Sequence, residues 1–382
     1  MNIMTFQTLT PVRGIIHFRT LMLTLFIFQL FVLSPLFSRD SSAISEAALP
    51  DYRVVLAGTI DIDSDGLVHL ALLDGCRVRI IVSSKLSKYT SMQNKPVMIY
   101  GRMQGPSQGE PAIFPEKVKR LSSLKELEKI ARDVESGLYR EDQLPAALVS
   151  SRSEIMVIDN LRWNFDPRAD EGRGKADFRR TTIDLSKVTR AIFVIEPFPP
   201  EAVAGHAMLF FEFAHGGITS LDGMASSKGL VLSIEAFLSK DQKYGLVEGL
   251  KKKFRIVYQL STIEDRLEIS LEQRHHKLKP FELELTVQQT RELLRASLDS
   301  ACLDHSAEFY NTLVNNCTNN LVRLINMVVE PGRRVREWLI PRILYNPRAT
   351  VPVLVPDKMM KKGLIRKELP VMMPPQEAIF EE

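Results

Sequence analysis

Short apolar runs separated by turn residues fill positions 52–121. Val54-Val55-Leu56, Val68-His69-Leu70-Ala71-Leu72, Arg77-Val78-Arg79-Ile80-Ile81-Val82 and Val97-Met98-Ile99-Tyr100 lie between clusters of Gly, Asp, Ser and Asn. Runs of this length, bounded by residues that bend the chain, read as strands. So many in so short a span predict a small β-barrel. The break after Gly101-Arg102-Met103, with the pattern resuming at Ala112-Ile113-Phe114, gives it an OB-like spacing. The next pattern is helical: Leu124, Leu127, Ile130 and Ala131 fall on one face of a charged stretch over 122–136. Positions 137–153, with Gly, Pro and Ser, read as a link.

A second domain is predicted over 154–346. Its strands are Ala191–Ile195, His206–Phe213, Leu230–Phe237, Phe254–Leu260 and Phe281–Val287. In the last of these Phe281, Leu283, Leu285 and Val287 alternate onto one face. A helix follows from Val287 to Leu303. After Cys317, Leu321, Val322, Leu324, Ile325, Val328 and Val329 repeat with the spacing of a helix that buries one side. Strands first and packed helices later define an α+β domain. The tail over 347–382 is rich in Pro, Lys and Met and reads as loose. No internal repeat is evident.

The first 38 residues carry a different signal. Arg13, His17 and Arg19 precede an uncharged, mostly apolar run from Thr20 to Ser38. A basic flank before such a run marks a signal peptide or signal anchor, and it directs the remainder across the membrane. Small residues at Ser41–Ala43 fit a cleavage site, and 39–51 fits a linker. No cysteine follows the run to carry a lipid, and no later stretch is apolar enough to span.

Composition narrows the function further. The chain has 382 residues, 45% hydrophobic and 25% charged, enough for two domains with a sizeable core. A net charge of +4 is too weak to argue for nucleic acid. The three cysteines, Cys76, Cys302 and Cys317, are too few for a disulfide framework, and their spacing fits no metal motif. Asp61-Ile62-Asp63-Ser64-Asp65-Gly66 begins like a calcium loop. Its twelfth position is Leu72, where a bidentate Glu is needed, so it reads as a hairpin turn. Cys302 and His305 lack a further ligand pair for zinc. His275-His276 reads as solvated, Cys76 as barrel core, and 166–180 as a charged loop between strands.

Cys317 is the candidate nucleophile. It stands among Asn311, Asn315, Asn316, Thr318, Asn319 and Asn320, where a loop gives way to a helix. Asn and Thr cap helix starts, and a thiol there sits at the positive end of the dipole, which lowers its pKa. A buried structural cysteine is the alternative. His206, opening an apolar strand, is the candidate base, with a core histidine as its alternative. Glu235, on the next strand, could orient the imidazole or stand solvated. Tyr258, Tyr310, Asn316 and Thr318 are weaker candidates for substrate or oxyanion contacts. No metal or cofactor is expected.

Four motifs then occur in order: Asn160-Leu161-Arg162-Trp163-Asn164-Phe165, Gly205-His206-Ala207, Leu232-Ser233-Ile234-Glu235, and Phe309-Tyr310-Asn311-Thr312 leading into Asn315-Asn316-Cys317-Thr318-Asn319-Asn320. Over 154–330 the chain resembles the family of the Lnb N-terminal periplasmic domain, Lnb being a bacterial lipoprotein N-acyltransferase. The resemblance implies a circularly permuted papain-like thiol enzyme, with histidine before cysteine in the chain. It makes Cys317 the nucleophile, His206 the base and Glu235 the third residue. It also implies a thioester whose acyl group passes to an amine or to water. The implied partners are a lipoprotein, lipid or peptidoglycan substrate and, through the N-terminal run, a membrane. The implied place is the bacterial periplasm or the outer face of the inner membrane. Two features depart from the family pattern: nothing after residue 38 spans, and Ala236-Phe237 stand where a basic residue usually follows Glu235. The competing readings are a non-catalytic envelope-binding protein that uses the barrel, and a peptidase proper.

Overall fold

The computed structural model describes residues 53–335 and 355–375, apart from short internal stretches of which the longest are 105–110, 130–139, 170–173 and 199–204. The expected targeting segment, the expected linker over 39–51 and most of the helix expected at 122–136 lie outside the described residues.

Five strands make a closed barrel: β1 (Arg53–Ile62), β2 (Val68–Ala71), β3 (Arg77–Ile80), β4 (Pro96–Gln104) and β5 (Ala112–Arg120), in the order β1-β2-β3-β5-β4. β3 and β5 run parallel and the other pairs antiparallel. Alternate residues point inward, so Leu56, Ile60, Leu70, Val78, Ile99 and Ile113 fill the interior. The calcium-like run is the β1–β2 turn. Asp63 Oδ1 accepts from the Asp65 and Leu67 amides at 3.0 and 2.8 Å, and Gly66 takes φ +79°. Cys76, expected in this core, is exposed at the foot of β3.

The remaining strands form one large sheet. They are β6 (Ala147–Arg152), β7 (Ile155–Asp166), β8 (Lys175–Asp184), β9 (Val188–Pro197), β10 (Gly205–Phe213), β11 (Ile218–Ser220), β12 (Ser226–Ser227), β13 (Gly229–Phe237), β14 (Arg255–Thr262), β15 (Lys279–Leu283) and β16 (Ile365–Glu368). The order is β12-β11-β8-β7-β14-β13-β10-β9-β15-β16, with β6 pairing β7. Helices beside the sheet include α1 (Ile263–Leu267), α2 (Val287–Ala301), α3 (Cys317–Val328) and α4 (Val355–Lys361). The α+β expectation holds, as a barrel beside a large sheet with helices.

The sheet is buried on both faces. On one, Ala207, Leu209 and Phe211 of β10 with Leu232 and Ile234 of β13 meet Leu293, Leu294 and Leu298 of α2 and Leu321 and Ile325 of α3. On the other, Met208, Phe210 and Val231 meet Ile263 and Leu267 of α1 and Leu369 and Met372 near the C-terminus. Covering both faces explains why these strands read as continuous apolar runs rather than as alternation.

Further expectations need correction. Of the loop expected at 166–180, residues 175–180 belong to β8. The tail is not loose throughout: α4 buries Met359, β16 pairs with β15, and Met372 exchanges backbone hydrogen bonds with Leu278. Unpaired β15 would be an open edge, and β16 closes it. The alternation of Phe281 and Leu283 ends with β15, because Thr286 caps α2 in a capping box with Gln289 and leaves Val287 exposed at the helix start. Part of the expected link, 147–152, is a strand. His276 is not simply solvated: its Nδ1 lies 2.8 Å from the Glu196 carboxylate.

Candidate active site

The loop before α3 explains its asparagines. The backbones of Asn311 and Asn315 bond each other, Asn315 Nδ2 donates to the Phe309 carbonyl, and Asn320 Nδ2 donates to Asn315 Oδ1. Asn316 is the N-cap: its side-chain oxygen accepts from the Asn319 amide at 3.0 Å, while its Nδ2 donates to the Thr312 carbonyl at 2.6 Å. Asn316 is therefore occupied in holding the helix start. Its effect is to fix Cys317 as the first residue of α3, at the positive end of a 12-residue helix.

Packing of α3 against β10 delivers the thiol to His206, the second residue of β10. The thiol and the imidazole are electrostatically coupled. Burial pushes the thiol up. His206, the Ala207 backbone and the Thr318 hydroxyl outweigh this and bring it down to about 7. Thr318 Oγ1 lies 3.8 Å from the sulfur. Burial also pushes His206 down, but Cys317 and then Glu235 raise it above its ordinary value, against Arg266. A thiol titrating near neutrality presents much of its nucleophilic form there.

Glu235 does not touch His206 directly. His206 Nε2 lies 2.7 Å from Ser233 Oγ, and that hydroxyl donates to Glu235 Oε1 at 2.6 Å, while the direct His206–Glu235 separation is 3.7 Å. Ser233 thus relays between imidazole and carboxylate and leaves Nδ1 as the ring nitrogen available to the thiol. Gln143 Nε2 donates to Glu235 Oε2 at 3.0 Å, and Arg266 Nη1 donates to Oε1 at 3.4 Å. Burial alone would raise the Glu235 pKa, but Arg266, His206, Arg274 and Ser233 hold it well below the carboxylate range. The basic residue that does lie beside Glu235 is Arg266, from α1.

The remaining candidates divide. Tyr310 is buried beside the helix start and is electrostatically coupled to the Cys317 thiol. Tyr244, which carried no sequence signal, packs edge-on against Tyr310 at 5.8 Å and shares a hydrogen bond with Thr312. Tyr258 is not part of this arrangement. It pairs with Ile234 and shares its face, away from Ser233 and Glu235, and it stacks on His305 at 4.0 Å. Ser233 lay inside a quoted motif, but Arg266 and Gln143 reach the site from distant segments and had no signal of their own.

Fold and site together define a mixed α+β protein in which a helix-start cysteine meets a histidine–serine–glutamate row on a sheet. Residues 175–354, just under half of the chain, match the family model of the Lnb N-terminal periplasmic domain. That range contains His206, Glu235 and Cys317, so the family resemblance holds for the three later motifs, while Asn160–Phe165 lies before it. The family name places such domains in the periplasm. No curated protein matches the chain. No helix among the described residues is long and apolar enough to cross a membrane.

Proposed function

We propose that this protein is an exported thiol enzyme that transfers or hydrolyses acyl groups through a thioester on Cys317. One observation carries the reading: a buried thiol at the first residue of α3, packed against the strand whose His206 is tied through Ser233 to Glu235. The Cys317 thiolate attacks a carbonyl carbon, and the C–S bond forms as the carbonyl oxygen takes the charge. The positive end of the α3 dipole stabilises that oxyanion. The His206 imidazolium gives its proton to the leaving group, which departs and leaves the thioester. An amine or water then attacks, His206 takes its proton, and the thiol is restored. Ser233 and Glu235 hold the ring in the required tautomer.

The chain order His206, Glu235, Cys317 supports a permuted papain-like arrangement. The substrate class is a lipoprotein, a lipid ester or a cell-wall amide, met at the membrane through the apolar N-terminal run. The test is labelling by an acyl-ester activity probe in wild type, Cys317→Ala and His206→Ala. Labelling should vanish in Cys317→Ala and slow by about 10²–10⁴-fold in His206→Ala, the usual contribution of a positioned base. Labelling indifferent to both substitutions refutes the reading.

A second reading has one observation behind it. A cavity of about 800 Å³ lies between the barrel and the sheet, lined by Leu72 and Val78 on one side and by Phe237, Ile256 and Leu303 on the other. Its size suits a small-molecule site. It would favour a non-catalytic binding protein if the probe failed.

A further inference from the structure

Strand register places two carboxylates beside His206. In the β9–β10 pair, His206 stands opposite Glu196. In the β10–β13 pair the register runs from Glu212–Gly229 to Met208–Ser233, and two residues further it brings His206 level with Glu235. Glu196, His206 and Glu235 therefore form a row across three neighbouring strands. Glu235 serves His206 through Ser233, whereas Glu196 has no part in the chemistry set out above.

Glu196 is only 1% exposed, and a carboxylate so placed needs partners to stay ionised. Its Oε2 accepts from Arg266 Nη2 at 2.5 Å and from Ser270 Oγ at 3.2 Å. Its Oε1 faces His276 Nδ1 at 2.8 Å and Arg274 Nη1 at 3.7 Å. Burial pushes Glu196 up, but Arg266, Arg274, His206 and His276 bring it down to about 2. Arg266, itself 2% exposed, also reaches Glu235. One guanidinium thus bridges the outer members of the row, with His206 between them.

We infer that Glu196 is a positioning residue of the thiol site that acts through Arg266. It anchors the guanidinium so that Glu235 stays on the Ser233 hydroxyl and the positive charge beside His206 stays compensated. The inference rests on the thiol reading proposed above. If the Glu196 charge is lost, Arg266 keeps only Glu235 and the Arg162-held Asp265, and it competes with Ser233 for Glu235 Oε1. Its uncompensated charge then disfavours the imidazolium, and the thiolate loses its counterion. The other charged groups nearby do not replace Glu196. Arg274 faces it with the same charge as Arg266, Arg140 is engaged by Asp142 at 2.5 Å, and Asp265 is held by Arg162 at 2.9 Å.

The test is the pH dependence of iodoacetamide alkylation at Cys317 in the full chain, read by peptide mass spectrometry. Wild type, Glu196→Gln, Arg266→Met, the double variant and His206→Ala are compared. Glu196→Gln should raise the midpoint by about one pH unit, or about tenfold less thiolate at a fixed pH below it. The double variant should return the midpoint to the wild-type value or below, because the stranded guanidinium is gone. An unchanged midpoint in Glu196→Gln, with a shift in His206→Ala, overturns the inference and leaves the thiol reading intact. A double variant that keeps the Glu196→Gln midpoint overturns the route through Arg266. A midpoint indifferent to His206→Ala refutes the thiol reading itself. If Glu196→Gln does not fold, Glu196→Asp, which withdraws the charge without removing it, takes its place. A raised midpoint there sustains the inference, and an unchanged one overturns it.

Discussion

The two faces of the β10–β13 strand pair are made of opposite materials. Toward α2 and α3 the contacts are aliphatic and aromatic: Ala207, Leu209, Phe211, Leu232 and Ile234 against helix leucines. At the His206 end of the other face sits a buried ionic row of Glu196, Glu235 and Arg266, with Ser233 and Gln143. The apolar face is insensitive to pH and fixes where α3 begins, and so where the sulfur lies. The ionic face carries the charge that decides how His206 and Cys317 share a proton. Position comes from one side of the sheet and protonation from the other.

That division can be broken by substitution. The largest effect on stability belongs to the apolar side. Leu321→Ala removes a side chain with no exposed surface from α3 and should cost about 2–5 kcal/mol, measured by denaturant unfolding. At conditions where the protein remains folded, the alkylation midpoint of Cys317 should stay near 7. A midpoint that moved with stability would show that the two faces are not separable. A smaller effect belongs to the relay. Ser233→Ala should cost about 1–3 kcal/mol at most, since it leaves partners of a buried hydroxyl unpaired. It should nevertheless raise the alkylation midpoint and slow probe labelling, because Glu235 at 3.7 Å no longer reaches His206 through a hydroxyl. Equal labelling in Ser233→Ala and wild type would remove Ser233 from the site.

Much of this arrangement was legible in one dimension. The spacing after Cys317 and the asparagines before it mark a helix with a capped start, and that helix is present with Asn316 as its cap. The short runs before residue 121 mark a barrel, and five strands close one. The charged row was not legible, because it is made by register. Nothing in Ile263-Glu264-Asp265-Arg266-Leu267 distinguishes a buried guanidinium from the polar side of a surface helix. Glu196 ends an apolar strand, where a carboxylate is ordinarily solvated. Register also decides Tyr258: its residue type suited the site, but its place opposite Ile234 turns it away from the face that carries Ser233 and Glu235. In the C-terminal stretch, Pro, Lys and Met concealed a strand whose pairing depends on an edge more than 80 residues earlier in the chain.

The central claim is that His206 sets the ionisation of Cys317. The most direct test is the pH midpoint of alkylation at Cys317 in wild type against His206→Ala. The wild-type midpoint should lie near 7, and His206→Ala should move it to the ordinary thiol value of about 8.5 or higher, since burial alone pushes the thiol up. A midpoint near 8.5 in wild type, or one near 7 that survives the loss of His206, would contradict the account.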